Sequence, residues 1–197
     1  MGAERLGKVL TKGRRIKLAT KRKIEAINYA NEILKAIPEG VLLTTKAGGK
    51  INTMTIGWGT MGTTWYRPVF VAYIREHRFT ISQLDKNAEF TVNIPMGNFN
   101  KKILGACGSN HGDKMDKIKE NGLTLVDSDV VKVPGIKEFP LTLECKVIYR
   151  QLQDLNLYLP EIREKFYPQD VDSSNCWANK DASYTIFGEI VNAYIIE

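Results

Sequence analysis

A chain of 197 residues with 43% hydrophobic, 9% aromatic and 25% charged residues holds enough apolar material for one sizeable core. That composition excludes a disordered, collagen-like or disulfide-dense scaffold. The longest purely apolar run, Val69 to Ile74, is far short of the roughly 20 residues that span a bilayer, so no membrane partner is expected. The net charge of +6 is local: residues 1–23 carry nine Lys/Arg against one acid, and the remainder is close to neutral with 19 bases and 21 acids. The high pI therefore describes a basic N-terminal extension, residues 1–23, rather than a nucleic-acid surface on the domain that follows at 24–197. Three cysteines without a CxxC pair point to a reducing, cytoplasmic compartment.

In chain order, Ile24, Ile27, Ala30, Leu34 and Ile37 form one helical stripe that Pro38 and Gly40 should stop. Val41 to Lys46 reads as a strand, Ala47-Gly48-Gly49-Lys50 as a hairpin turn and Ile51 to Trp58 as the returning strand. Further strands are expected at Val69–Arg75, Glu89–Pro95, Leu141–Arg150 and Ser183–Ile196. Short helices are expected at Ile81–Asn87 and Lys114–Asn121. Many short strands with few helices argue for a mainly β, closed or nearly closed barrel. The polar stretch Asp154–Lys180 reads as an excursion or lid.

Most catalytic signatures are missing. There is no GxSxG elbow, no P-loop and no complete dinucleotide fingerprint, and the two histidines, His77 and His111, suggest no metal site. The informative segment is Ile51 to Tyr66: sixteen residues without a charge, including five threonines, three glycines, two tryptophans and two methionines. A plain core strand would hold more Val, Ile and Leu, and a plain loop would hold charges. Glycines admit a ligand to the backbone, hydroxyls bond to it, and Trp or Met gives flat apolar contact, so a planar heteroaromatic ligand suits this strand as well as a closely packed barrel strand does. Downstream, Arg75-Glu76-His77-Arg78-Phe79-Thr80 leads into a helix with the capping-box pattern Thr80-x-x-Gln83. Two arginines at a helix start can hold a phosphate. Asp113 is positioned to cap a helix bearing Lys114 and Lys117 one turn apart.

The order Asn52-x-Met54-Thr55-x-x-Trp58, Pro68-Val69, Arg75-x-x-x-Phe79-Thr80, Phe90-Thr91-Val92-Asn93-Ile94-Pro95, Gly112-x-x-x-Asp116-Lys117 and Phe187-Gly188-Glu189-Ile190 resembles the flavin reductase-like family, including flavoredoxins. The resemblance covers residues 38–195. It implies a Greek-key-like, FMN-binding split β-barrel with a few peripheral helices, as a homodimer. It further implies cofactor contacts from Asn52, Met54, Thr55, Ile56, Gly57, Trp58, Arg75, Arg78, Phe79, Thr80 and Lys117, with phosphate near the Arg/Thr turn. Many relatives carry a histidine before the final Gly-Glu. Here that stretch is Ala182-Ser183-Tyr184-Thr185, which makes Tyr184 the nicotinamide-side candidate. Two functions follow from the resemblance: an FMN oxidoreductase with NAD(P)H as co-substrate reducing flavin or another small acceptor, and a flavoredoxin-like carrier taking electrons from a redox protein. An oligonucleotide-binding barrel using the basic extension is the outsider.

Overall fold

The computed structural model describes residues 5–7 and 19–197. The outer strands come first: β1 (Arg5–Gly7) and β2 (Ala19–Lys23). A short 3-10 turn, Ala26–Tyr29, then leads into helix α1 (Ala30–Glu39). The barrel proper begins with β3 (Val41–Ala47) and β4 (Lys50–Ile56). They pair through a two-residue loop in which Gly48 and Gly49 both have positive φ, as a primed hairpin turn requires. Strands β5 (Gly59–Thr64) and β6 (Arg67–Arg75) form a second hairpin, and helix α2 (Phe79–Leu84) leads to β7 (Glu89–Ile94). After helices α3 (Lys102–Ser109) and α4 (Lys117–Glu120) comes the small ladder of β8 (Leu125–Val126) and β9 (Gly135–Ile136). The chain closes with β10 (Leu141–Leu152), helix α5 (Pro160–Phe166) and β11 (Ser183–Ile196).

The main sheet runs β1-β2-β11-β10-β7-β3-β4, with β6 added to β11 and β5 to β6. Strand β11 is the spine. One edge pairs with β10 along its length, and the other pairs with β6 in its first half and with β2 at its end. No strand pairs with the outer edge of β4 among the described residues, so the barrel is split between β4 and the β5–β6 hairpin. Leu43, Phe70, Ile74, Phe90, Leu141 and Leu143 fill the interior and are fully buried. Gly188 explains one motif: a Cβ there would stand 2.3 Å from Phe90 Cζ and 3.0 Å from Cys145 Cβ. Only hydrogen at that position lets the Phe90 ring lie flush under β11.

Three sequence expectations need correction. The strand ending at Trp58 stops at Ile56, because the chain turns at Gly57–Trp58 into the unforeseen β5. The helical stripe holds at its ends, where Ile24 and Ile37 are buried, but slips between them: Ile33 rather than Leu34 is buried, and Ile27 and Leu34 are 69% and 46% exposed. The cause is the 3-10 turn, whose three residues per turn break the 3.6-residue phase running from Ile24. Pro38 sits inside the last turn, and the helix ends at Gly40, whose φ is +111°.

The boundary at residue 23 also moves. Ala19–Lys23 is a strand of the main sheet, pairing Lys23 with Tyr194, Arg22 with Ile195 and Lys21 with Ile196. Lys21 is buried, and its Nζ reaches the Asp127 carbonyl and, at 2.8 Å, the Asp129 carboxylate. Residues 1–4 and 8–18 of the expected extension lie outside the described residues.

Candidate functional site: a cleft beside the open strand edge

Where the barrel is split, a cleft of about 640 Å³ opens between β4 and the excursion after β10. A strand with a vacant edge turns alternate N–H and C=O groups outward, so β4 offers backbone hydrogen bonds along this wall. Met54, Thr55, Ile56, Gly57 and Trp58 line it, as does helix α3 through Leu104, Gly105 and Gly108. The Thr55 hydroxyl donates to the Leu104 carbonyl at 2.6 Å and ties α3 to β4. Two other depressions of similar volume flank the Gly48–Gly49 turn. Three lysines line each of them, and neither contains an aromatic ring.

Arg75 and Arg78 close one end of the cleft. Arg75 is 9% exposed and latched to the excursion. Its guanidinium donates to the carbonyls of Phe166 (2.7 Å), Asp181 (2.7 Å) and Asn179 (3.3 Å), and lies 4.8 Å from the Tyr167 ring and 5.7 Å from the Trp58 ring. Burial lowers its pKa, with Tyr167 and Asp181 opposing. Arg78 donates to the Gly108 carbonyl (3.1 Å) and the Cys176 carbonyl (2.8 Å). A third contact joins His77 Nδ1 and the Asp181 carboxylate at 2.9 Å. Every basic side chain of the Arg75–Arg78 turn thus holds the excursion on the barrel.

Of the eleven cofactor candidates, seven line this cleft: Met54, Thr55, Ile56, Gly57, Trp58, Arg75 and Arg78. Asn52, Phe79, Thr80 and Lys117 do not. Asn52 and Thr80 are buried against each other, the amide donating to the Thr80 hydroxyl at 3.2 Å. Helix α2 starts at Phe79, two residues early, so Thr80 falls within its first turn and no capping box forms; the Gln83 side-chain oxygen is buried without a partner. Helix α4 starts late and is capped by Asp116, not Asp113, because the Asp116 carboxylate accepts the Lys119 N–H. Lys117 therefore points back beneath α3, where its ammonium donates to the Cys107 carbonyl at 2.8 Å. Tyr184 misses the cleft by the alternation of β11. Ser183 lines it, and Tyr184 packs on the barrel core with Arg150 over its ring.

The sequence reading missed α3 and the excursion residues Phe166, Cys176, Trp177 and Ala178, all on the cleft. Phe166 meets Trp58 edge-on at 5.4 Å between centroids. The one available signal was a tryptophan in an otherwise polar stretch.

Lys117 carries a pH signature. Burial lowers its pKa from 10.5 to about 8, and burial raises that of Cys107 from 9.0 to about 11. Above pH 8 the unfolded chain holds a proton on Lys117 that the folded chain has lost, so stability rises with pH. Above pH 9 the Cys107 thiol, still protonated only in the folded state, opposes this. Stability should therefore rise by about 1 kcal/mol from pH 8 to 9 relative to Lys117→Met. Urea midpoints across that range measure it, and equal slopes in both proteins would refute the assignment.

The comparisons with known proteins agree with this architecture. The model of the flavin reductase like domain matches residues 34–192. The chain belongs to the flavin reductase-like family. Uncharacterized proteins of Archaeoglobus fulgidus and Pyrococcus abyssi are 34% and 33% identical to it over 114 and 107 residues. Those alignments cover 57% and 54% of the chain, and 63% and 59% of the relatives' own lengths. Among solved structures, flavoredoxin from Methanosarcina acetivorans superposes with a TM-score of 0.56 at 24% identity, over 79% of this chain and 67% of that one. Component B of nitrilotriacetate monooxygenase from Bacillus cereus gives 0.61 at 18%, over 89% and 79%. The fold is the FMN-binding split barrel of this family.

Among the described residues, no helix is long and apolar enough to cross a membrane.

Proposed function

We propose that the protein binds FMN in the cleft along β4 and acts as an oxidoreductase, with NAD(P)H as donor and a small flavin or other planar molecule as acceptor. One observation carries the reading: a mainly apolar cleft runs along a vacant strand edge, with two guanidinium groups at one end. Its volume lies within the roughly 300–1,000 Å³ usual for cofactor sites. Bound FMN supplies hydride and single-electron chemistry that no side chain here can perform.

The outward N–H and C=O groups of β4 orient the ring edge, while Met54 and Trp58 give it flat apolar contact. Arg78 is the phosphate ligand: its two carbonyl partners are neutral, and a phosphate dianion is the stronger acceptor. Arg75 already donates to three carbonyls and acts as a positioning residue that keeps the excursion seated. Lys117 acts indirectly, through the Cys107 carbonyl and hence the seating of α3. Phe166 and the rest of the excursion wall the cleft from bulk water.

The carrier reading is favoured by one feature. Tyr184 faces away, so the cleft presents no ring at the expected nicotinamide position. Reconstitution with FMN, desalting and a visible spectrum test the cofactor. A colourless protein, or preferential retention of FAD, refutes it. Anaerobic mixing with NADH or NADPH then separates the functions. Rapid bleaching supports the oxidoreductase, and reduction by dithionite alone supports the carrier. A second copy covering the exposed Ile27 and Leu34 belongs to the same reading, and light scattering on the eluting protein tests it. The three cysteines are free, consistent with a reducing compartment.

A further inference from the structure

The excursion combines a firmly held backbone with an unpacked indole. Around Trp177 the chain is pinned on both sides: Arg78 holds the Cys176 carbonyl, and Arg75 holds those of Asn179 and Asp181. Asn175 accepts the Trp177 N–H at 3.0 Å, and the Asn179 side chain donates to the Asn175 carbonyl. Trp177 is nevertheless 79% exposed, although it lines the cleft. The other two tryptophans are packed, Trp58 on Phe166 and Tyr167, and Trp65 on Tyr149 and Phe187. Trp177 meets no aromatic ring among the described residues.

A large apolar side chain left in water is costly, whereas a fixed backbone beneath it lets a stacking partner bind without further ordering. The charges around it are uneven. Arg75, Arg78, Lys101 and Lys165 line the same cleft against a single acid, Glu39. Glu39 is already engaged with Lys101 at 3.6 Å.

We propose that Trp177 is a preformed stacking platform for the second molecule admitted to the cleft, a planar aromatic compound bearing a negative charge. The proposal rests on the FMN reading above and adds the chemistry of the co-substrate. Stacking on the indole supplies contact area, and the Lys165 ammonium, which meets no carboxylate among the described residues, selects a carboxylate or phosphate over a neutral analogue. Two sources share this chemistry, small aromatic acids and pyridine nucleotides.

The test uses the full chain loaded with FMN and calorimetric titration with 4-nitrobenzoate, 4-nitrobenzamide and NADP⁺. Trp177→Ala should weaken the anionic probe that the site takes by about tenfold, and Trp177→Phe should recover most of that loss. The neutral amide should bind the unmodified protein about tenfold more weakly than the acid. Each variant is saturated with FMN before titration, so that any change in flavin affinity does not enter the comparison. An effect confined to 4-nitrobenzoate identifies an aromatic acid, and one confined to NADP⁺ identifies a nucleotide. Failure of both anions to bind, unchanged affinity in Trp177→Ala, or equal binding of acid and amide overturns the proposal while the FMN reading stands. Failure to retain FMN overturns both.

Discussion

Glu144→Ala should cost about 3–5 kcal/mol of stability, a large fraction of what a domain of this size possesses. Glu144 lies on β10 and is fully buried. Its two oxygens accept four N–H groups: the backbone amides of Asp129, Val130 and Val131 at 2.7–2.9 Å, and the Asn192 side chain at 3.0 Å. Among the described residues those three successive amides have no other hydrogen-bond partner, so alanine strands them at about 1–3 kcal/mol each, less what entering water recovers. Glu144→Gln keeps one accepting oxygen and should lose about half as much. Urea unfolding followed by tryptophan fluorescence measures both, and a loss under 1 kcal/mol for the alanine variant would show that water replaces the carboxylate without cost.

Removal of residues 1–23 should destabilise the protein by about 3 kcal/mol, although the charge distribution alone suggests a dispensable tail. Deleting β2 strips three register pairs from β11, removes Ala19 from a small apolar cluster and uncovers its other members, Val126, Tyr194 and Ile196. It also removes Lys21, whose ammonium lies 4.7 Å from the centre of the Tyr194 ring and holds the loop that Glu144 holds from the other side. Lys21→Met isolates the polar part and should lose about 2 kcal/mol, the cost of leaving Asp129 and the Asp127 carbonyl without their donor. Because both side chains fix residues 127–131, Lys21→Met and Glu144→Gln should be non-additive by at least about 0.5 kcal/mol. An unchanged melting temperature after the truncation would mean that the sheet edge is satisfied by solvent.

Much of the barrel is written locally. The paired glycines at 48 and 49 specify a primed hairpin turn, because two consecutive positive φ values suit little else. The branched and aromatic run Val69–Ile74 is buried in β6 apart from the half-buried Tyr73, as its residue types require, and β7, β10 and β11 lie where their patterns put them. The uncharged stretch Ile51–Tyr66 pointed to the cleft because a wall that meets a planar ligand cannot carry solvated charges. Its Met54–Trp58 half does line that cleft.

The tertiary structure alone decided which residues of each motif face the site. Arg75 looked like an anion ligand because its neighbours in sequence offer a helix start, yet its acceptors are carbonyls 91–106 residues away. Lys21 looked like part of a solvated tail because the carboxylate that receives it lies 108 residues further on. Lys117 and Tyr184 turned away from the cleft through offsets of a few residues, in a helix start and in strand alternation, which composition does not resolve. Local propensity and pattern depend on near neighbours and are therefore legible in the chain. Hydrogen-bond partners brought together by a barrel and a long excursion depend on closing loops of a hundred residues, and only the folded molecule determines them.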